Sequence, residues 1–229
     1  MIQWLRNVGR GRWWRWPMLV AGAYVLVTIV ANVAVFGSVL GARAAGFDER
    51  ITIAGLQIMN FREVDDRLLV GAQPTGDAFE RLAAMGVTTV VDLRTGAVGD
   101  PILDDPQELA ALGIEYVAIP LDDGRAPDAE MIQRFLAVME QSNGRVYLHC
   151  GGGVGRSTAF EMAYRAATGL DYGVPAQLAI GPPTIEQLYF VSRLSDDRQE
   201  GVGGPIVFAS RAVDLPRALL TWLRGTVLD

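Results

Sequence analysis

The stretch YLHCGGGVGRST, residues 147–158, contains the only histidine and the only cysteine of the 229-residue chain, side by side as His149 and Cys150. The run RVYLH before them reads as a buried strand, and a helical pattern begins near Arg156. A strand that enters a glycine-rich turn and then a helix points backbone N–H groups inward, and the helix dipole adds positive potential. Arg156 adds a planar fork of donors that fits two oxygens of one anion. The stretch therefore predicts an anion-binding loop with a thiol at its base.

Cys150 has the setting of a nucleophile. Helix N-termini and nearby cations favour the thiolate, which is the reactive form of cysteine. The alternative is a small buried hydrophobe, the common role of a lone cysteine. The adjoining loop favours the nucleophile, and the predicted anion-binding residues are Gly151, Gly152, Gly153, Val154, Gly155 and Arg156.

Strand and helix patterns alternate on both sides of this loop. Strands are predicted at 68–74, 87–93, 114–121 and 145–149, and helices at 75–86, 105–112, 126–144 and 156–168. Such alternation predicts an α/β fold, a mainly parallel central sheet flanked by helices. Ligands of these sheets bind beyond the carboxyl ends of the strands, where Cys150 lies.

Composition narrows the function. The net charge of −6 argues against a nucleic-acid partner, because duplex binders concentrate Lys and Arg. A single cysteine excludes an intrachain disulfide, and one cysteine with one histidine disfavours a structural zinc site. We therefore expect no nucleic acid and no structural zinc, and we expect no metal or cofactor in the reaction because the loop and Arg156 can stabilise the charge.

The front of the chain predicts a membrane segment. Residues 1–17 are basic and tryptophan-rich, and residues 18–42 carry no charge. A helix of that length, about 37 Å, exceeds a hydrocarbon core of about 30 Å. A signal sequence ending near Ala44 is the alternative, although the apolar run is longer than usual for one. The richer basic flank favours a cytoplasmic N-terminus and an extracytoplasmic catalytic domain. The predicted order is flank 1–17, transmembrane helix 18–42, linker 43–57, catalytic domain 58–200 and amphipathic tail 201–229; the tail either packs on the domain or lies on the membrane.

The spacing of Cys150, five residues, Arg156 and Ser157 resembles the signature of the protein tyrosine phosphatase superfamily, with His149 in its usual place. A nucleotide-binding P-loop would need Gly and Lys where Cys150 and Arg156 stand. Rhodanese-like sulfurtransferases resemble it too, but their cysteine loop is generally one residue shorter. The stretches NFREVDDRLLVGAQP and VVDLR are similar to the opening of small bacterial dual-specificity phosphatase domains, so the resemblance covers about residues 58–195.

The resemblance implies the other site residues. The segment IPLDDGRAPD, residues 119–128, is similar to the acid loop of dual-specificity phosphatases, whose general acid precedes the glycine; that is Asp123, with Asp122 as the alternative. Asp128 is expected to cap the next helix. GPPTIEQLYF, residues 181–190, resembles the loop whose glutamine, here Gln187, places the hydrolytic water, although Pro183 stands where a second glutamine is expected. An ordinary exposed helix residue is the other interpretation of Gln187. Ser157 is expected to assist the departing thiolate and His149 to fix the loop.

The predicted function is hydrolysis of phosphate monoesters through a phosphocysteine, with a phosphorylated protein or a small phosphomonoester as the substrate. The loop has no lysine, which disfavours inositol lipids, whose extra phosphates need extra cations. A lipid monophosphate remains an alternative because of the membrane segment. A non-catalytic module that binds phospho-ligands is the alternative from another class.

Overall fold

A five-stranded sheet forms the centre of the computed structural model, which describes residues 15–194 and 202–227. The strands are β1 (Arg62–Glu63), β2 (Leu68–Gly71), β3 (Val87–Asp92), β4 (Glu115–Ala118) and β5 (Arg145–His149), in the order β1-β2-β5-β3-β4. Strand β1 pairs antiparallel with β2, and the other pairs are parallel. The mainly parallel sheet predicted from the sequence is confirmed. Strand β1 was not predicted because two residues carry no alternation pattern.

The described helices are α1 (Arg15–Ala44), α2 (Ala78–Ala84), α3 (Pro106–Ala111), α4 (Ala129–Gln141), α5 (Arg156–Thr168), α6 (Val174–Ile180), α7 (Ile185–Ser192) and α8 (Gly204–Val227). Helix α4 begins three residues later than predicted because the Asp128 carboxylate accepts the Met131 N–H at 2.9 Å and caps it. Helix α2 is shorter than predicted at both ends. Helix α5 has the predicted bounds, so the loop does end in a helix N-terminus.

Two apolar clusters cover the two faces of the sheet, because successive side chains of a strand point to opposite faces. In β5, Val146 and Leu148 lie in the cluster that includes Phe135 of α4 and Phe160 of α5. Tyr147, between them, lies in the opposite cluster with residues of α2 and α3. This layering buries β5 on both faces and fixes the position of Cys150 at its carboxyl end.

Helix α1 is the candidate transmembrane helix. Within Trp16–Ala44 an 18-residue stretch reaches a mean hydropathy of 2.3, so the helix can cross a membrane by length and composition, properties that a signal sequence shares. Residues 1–14 of the predicted basic flank lie outside the described residues.

The segment predicted as a linker, residues 43–57, lies against the catalytic domain. The Ile51 N–H donates to the Phe61 carbonyl at 2.9 Å, Leu56 is buried, and Glu49 forms an ion pair with Arg165. The sequence did not reveal these contacts, because the partners of the charged residues in this segment lie far away in the chain. The C-terminal tail is helical in α8, and the side chains of residue 217 and of residues 220–227 lie outside those that the structure describes.

Candidate active site

The loop after β5 is held by hydrogen bonds to the outer side of its backbone. The carbonyls of residues 151–153 accept, in order, Gln73 N at 3.2 Å, Asn60 Nδ2 at 2.8 Å and Arg62 Nη1 at 3.0 Å. With three successive carbonyls turned outward, their peptide N–H groups are available to the inside of the loop. This is the arrangement that an anion-binding loop requires.

Cys150 lies at the base of the loop, buried, with Sγ 3.3 Å from the donating Gly153 N–H and 3.5 Å from Ser157 Oγ. Gly153 has φ +70°, and a Cβ there would lie 2.5 Å from backbone atoms of Gly71 and Ala72. Only glycine fits this position, so the glycine content of the loop has a steric reason as well as a functional one.

The guanidinium of Arg156 is buried and held from one side by Asp100. Its Nη1 and Nη2 donate to the two Asp100 oxygens, both at 2.7 Å, and Nη1 also reaches the carbonyls of Leu93 and Leu121. Burial alone would raise the pKa of Asp100, but Arg156 outweighs burial and holds that pKa below its usual value. Burial would likewise lower the pKa of Arg156, but Asp100 and Cys150 keep it above its usual value. The arginine therefore stays charged and oriented at the loop.

The acid loop brings Asp123 to the same site. Its Oδ1 lies 3.6 Å from Arg156 Nε, and the side chain remains 45% exposed. Gly124, which follows, has φ +79°. Asp122 is exposed and takes part in the turn through its carbonyl, which accepts the Arg125 N–H at 3.1 Å. The structure thus places Asp123 beside the loop arginine.

Gln187 joins the acid loop to the cysteine loop. Its Nε2 donates to the Arg125 carbonyl at 3.0 Å, and its Oε1 accepts the Thr184 N–H at 3.0 Å in a capping box at the start of α7. A Cβ at Gly155 would lie 2.8 Å from that oxygen. Gln187 is buried, unlike the exposed helix residue that was one sequence interpretation. Its polar atoms hold backbone here, and the role in placing water stays a prediction.

His149 lies in a buried cluster of charges behind the loop. Its Nε2 is 3.0 Å from Asp104 Oδ2 and its Nδ1 is 3.9 Å from Asp92 Oδ1. The three residues could offer metal ligands, but the guanidinium of Arg94 already contacts both carboxylates, at 2.9 and 3.3 Å. Burial would raise the pKa of Asp104, yet His149, Gln73 and Arg94 hold it below its usual value. The cluster is therefore built as an ion-pair network that anchors the end of β5.

Sequence reasoning missed the residues that support the loop. Asn60, Arg62 and Gln73 occur in the stretch that resembles the opening of dual-specificity domains, which was the available signal. Asp100 and Asp104 had no pattern to mark them, because they lie in an irregular segment between β3 and α3.

The parallel sheet and the cysteine–arginine loop define a phosphatase of the dual-specificity, protein tyrosine phosphatase-like superfamily. Residues 51–197 match the family described as a DSP-PTPase phosphatase fused to NAD+ kinase, and the chain belongs to that family.

A relative from Oryza sativa subsp. japonica, named "Probable NAD kinase 2, chloroplastic", is 38% identical over 92 residues, which are 39% of this chain. The chain spans 9% of the length of that relative.

Solved structures share the fold at low identity. The active form of Tk-PTP is 22% identical with a TM-score of 0.51, covering 61% of this chain and 98% of its own. PTPMT1 in complex with PI(5)P is 19% identical with a TM-score of 0.50, covering 58% of this chain and 93% of its own. These similarities support the phosphatase fold.

Proposed function

We propose that the chain hydrolyses phosphate monoesters through a covalent phosphocysteine on Cys150. The observation that carries the proposal is the position of the Cys150 sulfur. It accepts the Gly153 N–H, lies beside Ser157 Oγ, and sits at the base of a loop whose next charged group is Arg156. The proposed nucleophile is the thiolate form of this cysteine, which is the reactive form in such chemistry.

In the first step the phosphate binds the inward N–H groups of the loop and displaces the Asp100 carboxylate from the Arg156 guanidinium. The thiolate attacks phosphorus, a sulfur–phosphorus bond forms, and the bond from phosphorus to the leaving oxygen breaks. Protonated Asp123 gives its proton to that oxygen, so the product leaves as a neutral alcohol or phenol. Fixed donors aimed at the phosphoryl oxygens stabilise the charge of the transition state without reorganising.

In the second step water attacks the phosphocysteine and gives a proton to the Asp123 carboxylate. The sulfur–phosphorus bond breaks, inorganic phosphate forms, and the thiolate accepts a hydrogen bond from Ser157. Gln187 holds the acid loop in place through the Arg125 carbonyl, and this contact supports Asp123 in both steps.

The proposed substrate is a phosphorylated tyrosine, serine or threonine side chain of a protein, or a small phosphomonoester. The lysine-free GGGVG sequence fits one phosphate rather than several. A lipid monophosphate is the second candidate, favoured by the exposed apolar helix α1.

The nucleophile is tested by Cys150→Ser. A serine hydroxyl is not ionised near neutral pH, so turnover of an aryl phosphate should be lost while vanadate binding persists on the same amides and Arg156. Hydrolysis above about a tenth of the wild-type rate contradicts the assignment, because loss of a catalytic nucleophile lowers kcat by orders of magnitude. A panel of phosphopeptides and vesicle-borne lipid monophosphates then separates the two substrate classes.

A further inference from the structure

One face of α1 is packed on the catalytic domain. From Thr28 onward the less exposed residues of α1 include Ala31, Val35 and Val39, spaced three or four apart as on one side of a helix. At the end of this stripe, Arg43 donates to the carbonyls of Ala179 and Ile180, at 2.7 and 2.9 Å, and caps the end of α6. The contact is specific, since these carbonyls at a helix end have no intrahelical partner.

The length of α1 links this docked stripe to the membrane. The part before the stripe, Arg15–Val27, has 13 residues and spans about 20 Å, whereas a hydrocarbon core is about 30 Å thick. If α1 crosses a bilayer, the crossing therefore includes part of the docked stripe. Whatever packs on that part of α1 lies at the bilayer as well.

Helix α8 packs on the middle of α1, over residues 24–36. The Tyr24 hydroxyl donates to the Ala212 carbonyl at 2.7 Å. A cavity of about 340 Å³ between the two helices is lined by Ala31 and Val35 of α1 and by Val213 and Pro216 of α8. Among the side chains of α8 that the structure describes, three large apolar ones are exposed on its outer side, at 76% for Phe208, 58% for Leu215 and 54% for Leu219. These three residues follow helical spacing, and we call them the α8 stripe.

The α8 stripe borders the acid loop. A cleft of about 310 Å³ is lined by Asp122, Asp123 and Gly124 on one side and by Arg211 and Leu215 of α8 on the other. The same helix thus forms one wall of the entrance to the acid loop and exposes apolar surface beside it. Arginine next to apolar side chains suits a layer in which anionic headgroups meet acyl chains.

We infer that the α8 stripe is a lipid-binding surface, continuous with the exposed apolar surface of α1, which lays the catalytic domain on the bilayer with the acid-loop cleft at its surface. We assign the lipid surface as the partner of the α8 stripe because α8 contacts the part of α1 that lies within the bilayer when α1 crosses it. The inference does not depend on the chemistry at Cys150.

Site-specific fluorescence of the full chain in vesicles tests the inference. Cys150 is the only cysteine, so Cys150→Ser gives a background in which Phe208→Cys or Leu215→Cys carries a single environment-sensitive label. Ala84→Cys is the matched control. Ala84 is exposed at the end of α2 and lies near the amino ends of the parallel strands, whereas Cys150 follows their carboxyl ends. Vesicles of phosphatidylcholine and phosphatidylglycerol contain a lipid-borne nitroxide quencher, and iodide is the aqueous quencher.

We expect the labels at 208 and 215 to be quenched by the nitroxide lipid and at least several-fold less by iodide than the label at 84. Labels at 208 and 215 that respond like the control overturn the inference. Labels shielded from both quenchers also overturn it, since they indicate a protein partner on this face. Leu219→Cys, one turn further along, repeats the measurement on the same stripe. Because every labelled variant lacks the nucleophile, these results leave the proposed catalysis untouched.

Discussion

Replacing Gly153 by alanine should disturb both the fold and the reaction, because this glycine lies where no side chain fits. Its left-handed backbone conformation costs an alanine about 1–2 kcal/mol. The new Cβ would lie 2.5 Å from backbone atoms of Gly71 and Ala72, and overpacking of this kind costs about 1–3 kcal/mol. The sum is about 2–5 kcal/mol, which lowers the melting temperature of a chain of this size by about 4–20 °C.

The reaction should suffer in addition. To relieve the contact, the loop must move away from β2, and the Gly153 N–H then leaves the Cys150 sulfur, now 3.3 Å away. Loss of one preorganised donor costs about 10²–10³ in kcat. The assays are thermal unfolding of the full chain in detergent and steady-state hydrolysis of an aryl phosphate.

Gly152→Ala is the matched control. It lies one residue earlier, has no positive φ, and a Cβ there meets no atom within 4 Å. We expect its melting temperature and kcat to stay near those of the wild type. Equal behaviour of the two variants would refute the steric account of the loop.

Three more predictions follow from the site. Asp123→Asn should lower kcat by about 10²–10⁴ on alkyl phosphates and less on aryl phosphates, whose leaving groups need little protonation; Asp122→Asn should cost much less. Arg62→Met should destabilise the fold by about 3 kcal/mol in a denaturant titration, because it removes a fully buried partner of Glu161, 2.5 Å away, and one anchor of the loop. The pKa of Asp104 is lowered in the fold, so its stabilisation is complete above the unfolded pKa of about 3.9 and is lost as the pH falls through the lower folded value; the stability gap between the wild type and Asp104→Asn should narrow over that range.

Each of these predictions has a control or an outcome that would contradict it. If Asp122→Asn shows the leaving-group dependence instead, Asp122 is the acid. Arg81→Met removes an exposed ion pair and should destabilise the fold much less, so an equal effect of the two substitutions would argue against a structural role for the buried pair. A stability gap between the wild type and Asp104→Asn that stays constant as the pH falls would contradict the last prediction.

The sequence predicted those parts of the structure that depend on local order. The run from β5 through the glycine loop into α5 has fixed spacing, and its bounds are confirmed at Arg145–His149 and Arg156–Thr168. The alternation of apolar runs was sufficient for the mainly parallel sheet. Asp128 was expected to cap the next helix, and its carboxylate does so.

The rest depends on contacts between distant segments, which carry no pattern in one sequence. Asp100 meets Arg156 across 56 residues, and Arg62 meets Glu161 across 99. A single charged residue in a loop has the same appearance whether it is solvated or paired. The docking of α1 escaped prediction for a related reason, since an uncharged run of its length indicates a membrane helix whether or not one face packs on protein.

Direct detection of the phosphorylated enzyme tests the central claim. The full chain in detergent is mixed with an aryl phosphate, quenched within its first turnover, digested and analysed by mass spectrometry. The account predicts one added phosphoryl group on the peptide that carries Cys150 in the wild type and none in Cys150→Ser. In Asp123→Asn the level of this intermediate rises if the substitution slows its hydrolysis more than its formation. Turnover without any phosphoryl group on that peptide, or a phosphoryl group on another residue, would contradict the account.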